Sequence, residues 1–370
     1  MILVISFQRD LHAFAMEFAF RKKKAPYCRL LPESFSENNL ITFKQQNNAW
    51  TCSLRSKHKV ALKKSGADLI FSPQRSENRT VNFDSIRSVW ARRYVDPFTP
   101  PAKLSPRQSA WARYEYAESG AVLRSLRSMS PNSFWVNPAS NANNKLGMLR
   151  LAQESGLAVP RTLLTNDPKQ AKDFFRECRK EVIFKLLDVH DPQEGLSGII
   201  AKMTAADIRD SDGIRAAPHY FQEHIPKKSD IRVNIIGRKI FATEILSQEF
   251  ANTRLDFRAD PNYSARLKHL PHKLPLSIQK MLMKFMKKAG LVFGAVDLIL
   301  RPDGHYVFLE VNPHGQWIWI ESLTGQPLLE SFSEMLIQGT ADYEDRPPER
   351  RVDMQSFDSY LKREKSRLVA

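Results

Sequence analysis

Apolar positions recur along this chain at two spacings. Met1-Ile-Leu-Val-Ile-Ser-Phe7 is an almost unbroken apolar run and predicts a buried strand, while residues 11–23 carry the period of a helix. Residues 89–92 read as another strand edge. Short apolar runs thus alternate with polar helical stretches over residues 1–100, which predicts a small α/β unit. Pro97-Phe-Thr-Pro-Pro101 breaks regular structure. Helices are predicted at 114–128 and 144–155, with a turn at Asn137-Pro138 between them. The second helix ends at Gly156, ahead of Pro160. Thr165-Asn-Asp-Pro168 opens a further helix reaching Lys180.

Beyond that point the period shortens. Residues 181–185 and 220–225 read as strands on either side of a loop-like stretch, 188–198, holding Gly195 and Gly198. Residues 230–236 and 239–246 flank Gly237-Arg238, the signature of a type II′ hairpin. Residues 275–289 place Ile278, Leu282, Phe285 and Met286 on one side of an amphipathic helix, and such a stripe reads as core. Residues 291–300 and 305–311 form a second hairpin. After residue 341 the chain is charged and Pro-rich, then weakly helical around Phe357, Tyr360 and Leu361.

The second hairpin carries the clearest chemistry. A two-residue loop at Asp303-Gly304 sets Asp297 directly opposite Glu310. Side chains alternate faces along a strand, so Asn312 shares the face of Glu310. Like charges placed opposite one another destabilise a sheet, and carboxylates within apolar strands need a partner. A hard divalent cation supplies one: Mg²⁺, with Mn²⁺ as an alternative. The competing reading is an edge hairpin in which Lys or Arg pairs each carboxylate. Lys145 at a helix start and Lys185 at a strand end are placed to meet phosphate as point charges, or are ordinary surface lysines. The strand carrying Gln222, Glu223, His224 and Ile225 offers backbone groups and Glu223 to a base or ribose, or is simply a strand. Asp230 and Arg232 share one strand face, either as a buried pair or with Arg232 stabilising phosphate charge.

Composition narrows the class. The chain has 370 residues, enough for two or three domains. Its three cysteines, Cys28, Cys52 and Cys178, are odd in number and scattered, so reduced thiols and a cytoplasmic location are expected. The N-terminus lacks the basic start of a signal peptide, and the longest apolar stretch, 291–300, is too short to span a bilayer. Net charge is +16, with basic clusters at 21–24, 57–64 and 350–351. None is interleaved with aromatics as nucleic-acid motifs are. They read as solvated surface or as a complement to an acidic partner.

In this order these residues resemble the ATP-grasp superfamily, in its RimK-like branch, and within that the MvdD-like ligases of microviridin-type (graspetide) peptides. The strings that carry the resemblance include Ser88-Val-Trp-Ala-Arg-Arg93, Asn137-Pro138, Asn144-Lys145 and Gly156-Leu-Ala-Val-Pro-Arg-Thr162. Gln222-Glu-His-Ile225, Asp230-Ile-Arg-Val233, Asp256-Phe-Arg258 and Phe308-Leu-Glu-Val-Asn-Pro-His-Gly-Gln-Trp317 follow. They spread over residues 1–340, and those toward the C-terminus are the more specific.

The resemblance implies an α/β (α+β) ATP-grasp fold. Residues 1–115 would be a pre-ATP-grasp domain, 116–340 the central unit and the C-terminal antiparallel-sheet unit with ATP between them, and 341–370 a charged, helical tail. Lys145 and Lys185 would bind ATP phosphates. Gln222, Glu223, His224 and Ile225 would form the adenine hinge, with Glu223 or Asp230 reaching the ribose. Arg232 and Arg258 would steady the γ-phosphate and an acyl phosphate, and Asp297, Glu310 and Asn312 would hold Mg²⁺. The implied reaction activates a carboxylate as acyl phosphate, then couples it to a hydroxyl or amine as an ester or amide. The expected partner is a peptide or protein substrate of acidic character, in a chain that is a monomer or a homo-oligomer and works without a membrane. The chain departs from many ATP-grasp enzymes in its glycine-poor phosphate loop, where His190 reads as a capping or solvated residue. The substrate-binding N-terminal part is weakly matched. Three functions therefore stand in order: cyclisation of a ribosomal precursor peptide, RimK-like addition of an amino acid to a protein or small acid, and nucleic-acid binding on an ATP-grasp scaffold.

Overall fold

The computed structural model describes residues 1–32, 39–46, 49–65, 68–92, 105–137, 144–187 and 200–369. The readings at 97–101, at 188–198 with His190, and at Pro138 lie outside these residues.

The N-terminal unit begins with β1 (Ile2–Ile5), followed by the helix Leu11–Lys22 and β2 (Tyr27–Leu30). A meander of β3 (Asn39–Gln46), β4 (Ala49–Ser65) and β5 (Asp68–Asn82) comes next, then β6 (Ser88–Ala91) and β7 (Phe134–Val136). The first sheet is parallel, in the order β2-β1-β6-β7. Its first helix is capped by Asp10, whose carboxylate accepts the His12 N–H. That helix is buried from His12 through Phe20, because the sheet lies on one side and the C-terminal helices on the other. The antiparallel meander replaces the polar helical stretches expected there. Cys52, Leu54 and Val81 are buried while Thr51, Arg55 and Asn82 are exposed, a period-two pattern diluted by charged residues.

The helix expected at 114–128 starts earlier and runs Pro106–Met129. Ser105 and Gln108 form a reciprocal capping box ahead of Pro106, a local start signal that apolar periodicity overlooks. Residue 115 lies within this helix. The Lys145–Glu154 helix is capped by Asn144. A small antiparallel sheet follows, built from β8 (Thr162–Thr165), β9 (Val182–Lys185), β10 (Ile200–Lys202) and β11 (His219–Glu223) in the order β10-β9-β11-β8.

The C-terminal sheet consists of β12 (Ser229–Ile236), β13 (Lys239–Ile245), β14 (His269–His272), β15 (Phe293–Leu300) and β16 (Tyr306–Asn312), in the antiparallel order β14-β13-β12-β15-β16. Gly237 takes φ +57 in the tight turn between β12 and β13, where Ile236 pairs with Lys239. Strand alternation divides this sheet's faces. Ile231, Val233, Val296, Leu298 and Phe308 pack against Leu282, Phe285 and Met286 of the helix Leu276–Ala289. Asp230, Arg232, Asn234 and Asp297 occupy the other face. The segment after residue 341 packs into the molecule: Tyr343, Val352, Met354 and Phe357 join the core of the N-terminal unit. Among the described residues no helix is long and apolar enough to cross a membrane.

Candidate active site

A cleft of about 380 Å³ opens between the small central sheet and the charged face of the C-terminal sheet. It is lined by Lys145, Lys185, Gln222, Glu223, His224, Ile225, Asp230, Arg258, Asp297, Glu310 and Asn312. Eleven of the twelve sequence-predicted site residues thus meet in one place. The exception is Arg232, which sits behind Asp297 with its Nε 3.2 Å from the Asp297 carboxylate.

The geometry comes from strand register. Thr243, Arg232, Asp297 and Glu310 form one row across four strands. Phe241, Asn234, Ala295 and Asn312 form the next. Asp297 therefore faces Glu310, but not through the turn expected. The loop has three residues, Pro302, Asp303 and Gly304. Arg301 N–H donates to His305 O at 2.9 Å, Gly304 N–H donates to Arg301 O at 3.0 Å, and Gly304 lies at φ +84. Proline suits the second position of such a turn and glycine the left-handed position that closes it. This loop pairs Leu300 with Tyr306, one residue out of the expected register. A bulge between Asp297 and Leu298 then absorbs Leu309 and restores the Asp297–Glu310 pairing. The bulge also brings two sequence neighbours, Leu309 and Glu310, to the same cleft. Leu309 packs with Ile225, Ile299 and Val307 as an apolar patch at its edge.

The carboxylate pair is unbalanced. Burial pushes the Asp297 pKa up, to about 6; Arg232 acts against this shift and Glu310 adds to it. The Lys185 pKa is lowered by burial, although Glu310 favours its charge. Lys185 Nζ donates to Gln222 Oε1 at 2.8 Å, and Gln222 Nε2 donates to Thr162 Oγ1 and the Tyr220 hydroxyl, both at 3.1 Å. Lys145 Nζ donates to Leu186 O at 2.7 Å. Burial works against the charge of Arg258, but its hydrogen bonds to Asp256 together with the negative charges of Asp256, Asp297 and Glu310 outweigh that and hold its pKa above the usual value. Asn312 Oδ1 accepts the His314 N–H at 2.9 Å, which orients the amide.

Two carboxylates and an amide oxygen brought to one face, with Arg232 and Arg258 offsetting part of the charge, fit a hard divalent cation. Among the described residues no group of three or more His, Cys, Asp or Glu side chains could hold a metal ion by itself. A cation here would therefore share its shell with water and phosphate. Both carboxylates expected near a ribose are engaged: Asp230 by Lys227 Nζ at 2.8 and 2.9 Å, and Glu223 by Arg161 at 3.2 Å. His224 turns to Glu181 at 3.0 Å.

Sequence reasoning overlooked Lys227, Asp256, Ile299 and Leu309. For Lys227 a signal existed, its spacing of three from Asp230 just after Pro226. Leu309 had none, since strand alternation assigns it the face opposite Glu310. On the charged side of the sheet, Arg232 Nε meets Asp297 as an ion pair outside hydrogen-bond geometry, while both polar atoms of Asn234 are buried without a hydrogen-bond partner. Such groups are the usual hosts of ordered water.

A family profile described as RimK-like ATP-grasp domain matches residues 142–331, just over half of the chain. The chain belongs to the RimK-like ATP-grasp family. Solved structures share its fold. Macrocyclase MdnC of Microcystis aeruginosa MRC, bound with precursor peptide MdnA, is 24% identical with a TM-score of 0.72, over 91% of this chain and 99% of that one. Macrocyclase MdnB of the same organism is 27% identical with a TM-score of 0.68, over 91% and 99%. A RiPP-associated ATP-grasp ligase of Chryseobacterium gregarium, in complex with ADP and a leader and core peptide, is 22% identical with a TM-score of 0.76, over 95% and 99%. Among curated proteins none matches. Within the RimK-like ATP-grasp family profile fall all twelve predicted site residues, from Lys145 to Asn312.

Proposed function

We propose that this chain is an ATP-dependent carboxylate ligase acting on a ribosomally made precursor peptide, which it cyclises through ester or amide bonds with release of ADP and phosphate. The observation that carries the chemistry is the facing pair Asp297 and Glu310, with Asn312 on the same face, in a cleft that also holds Lys145, Lys185 and Arg258. The likeness to macrocyclases supports the choice of a peptide substrate.

In this reading Asp297, Glu310 and Asn312 hold Mg²⁺, or Mn²⁺ in its place. The bound cation supplies charge neutralisation to the transferring phosphoryl group. Lys145 and Lys185 bind the phosphates. The apolar patch of Ile225, Ile299 and Leu309 receives the base, beside the hinge backbone of residues 222–225. Arg258, held by Asp256, steadies the γ-phosphate and the acyl phosphate formed from it. Arg232 acts through Asp297, orienting its carboxylate and offsetting part of its charge. By order along the chain, residues 1–115 act as the pre-ATP-grasp domain and 116–340 as the catalytic part.

Incubation with ATP, Mg²⁺ and a candidate precursor, a small Thr/Ser/Asp/Glu-rich peptide, should release ADP and remove one water from the peptide per bond formed. A gain in peptide mass instead of a water loss would point to RimK-like amino-acid addition at the same site. Glu310→Gln and Asp297→Asn should each abolish ADP release while circular dichroism stays unchanged. Near-normal ATP turnover in either variant contradicts the metal assignment.

A further inference from the structure

The turn after Asn312 is held by side chains from the opposite end of the chain. Arg92, at the end of β6 and 2% exposed, reaches across the molecule. Its Nη1 donates to His314 O at 2.9 Å and approaches Gly315 O at 3.5 Å, and its Nε donates to Asp10 Oδ2 at 2.7 Å. Asn137, at the end of β7 with φ +49, donates from Nδ2 to Pro313 O and to Phe293 O, both at 2.7 Å. Three successive carbonyls, 313 to 315, thus receive donors from the N-terminal unit. Two residues further on, His12 Nε2 accepts the Trp317 N–H at 3.0 Å. The other ring nitrogen, His12 Nδ1, lies 3.2 Å from Arg92 Nη2 and 3.6 Å from Asp10 Oδ1.

This turn connects directly to the proposed ligands. The His314 N–H is the donor that orients the Asn312 amide. Gly315 lies against Ala295, the row partner of Asn312, so closely that a Cβ on Gly315 would stand 2.3 Å from the Ala295 Cβ. A displaced turn therefore displaces Asn312. Asp10 alone would balance the charge of a buried Arg92. The additional donors toward 314 and 315 are what a clamp requires, and a guanidinium supplies them in a fixed plane.

We propose that Arg92, together with Asn137, is a positioning residue for the metal–nucleotide site, holding residues 313–318 so that Asn312 and Glu310 converge. This rests on the reading of Asp297, Glu310 and Asn312 as cation ligands. The test uses the full chain, with Mn²⁺ binding in the presence of ADP measured by electron paramagnetic resonance and hydrogen exchange of peptides covering 313–318. Arg92→Lys keeps the charge beside Asp10 but cannot reach both carbonyls. Asn137→Gly keeps the left-handed backbone and loses both the donor to Phe293 O and Pro313 O and the acceptor of the Val292 and Phe293 N–H groups. Each should weaken Mn²⁺ binding about 10- to 100-fold, the range for residues that orient metal ligands. Each should also accelerate exchange at 313–318 more than in the rest of the chain, in protein that remains folded at the assay temperature. A folded Arg92→Lys with parental affinity and exchange overturns the proposal. If Arg92→Lys fails to fold, Asn137→Gly decides by the same two readouts; loss of fold in both overturns positioning in favour of a purely structural role. Glu310→Gln is the control: if it leaves Mn²⁺ binding intact, the ligand reading fails whatever Arg92 does.

Discussion

Besides the carboxylates paired to buried Lys or Arg, two other kinds occur, those that face one another and those that terminate backbone. Asp297 and Glu310 are the first kind, opposed across a sheet and neutralised only in part by Arg232. Glu321 is the second. It is 4% exposed and accepts the Leu329 N–H at 2.6 Å and the Met354 N–H at 3.0 Å, joining the starts of two C-terminal helices. Burial pushes its pKa up to about 7, against those two hydrogen bonds. The folded protein then holds this proton more tightly than the unfolded chain, so this residue's contribution to stability falls as pH rises from its ordinary value of 4.5 to about 7. The loss is of order 3 kcal/mol across that window. In urea unfolding at a series of pH values, Glu321→Gln should lack this part of the slope, whatever it does to stability at any one pH. Equal slopes for parent and variant would refute the assignment.

At the scale of elements, the β15–β16 hairpin reaches its register through two compensating irregularities, a three-residue loop and a bulge at Leu309. The strand alternation of β12, with Asp230, Arg232 and Asn234 opposite Ile231, Val233 and Ile235, was legible in sequence because it depends only on the pleat. The loop length was misread because Asp-Gly satisfies two turn types, and the identity of Pro302 decides between them only weakly. The contact between the turn and the sheet belongs to this scale too. Gly315→Ala should overpack against Ala295, lowering stability by about 1–3 kcal/mol. Adding Ala295→Gly should return much of that loss. A double-mutant cycle by chemical denaturation checks the coupling, and simple additivity would argue against the contact.

At the scale of the whole molecule, one of the apolar clusters joins residues far apart in the chain. Phe14 and Phe18 of the first helix pack on Phe357 of the last, with ring centroids 5.9 and 5.5 Å apart. Buried Lys23 lies 2.7 Å from Glu330 and 2.6 Å from Glu334, tying the same layers together. The C-terminal segment is therefore part of the fold of the N-terminal unit. Phe357→Ala should cost about 3–5 kcal/mol and lower the calorimetric midpoint. A midpoint equal to the parent's would mean that the last helix is dispensable.

The sequence by itself determined the strands and helices whose period is regular, which rest on short-range geometry. It also named Asp297 and Glu310 as facing residues, but the three-residue loop and the bulge that make them face were decided by the structure. The family resemblance supplied the assembly of Lys145, Lys185, Arg258 and the hinge into one site. Only the tertiary structure decided which charges were already engaged. It paired Asp230 with Lys227 and Glu223 with Arg161, withdrew Arg232 behind Asp297, and set Arg92 against a carbonyl 222 residues away. Periodicity records which face a side chain takes and says nothing of the partner that another part of the chain brings to it. For charged groups the partner decides, because a buried ion is stable only beside its complement.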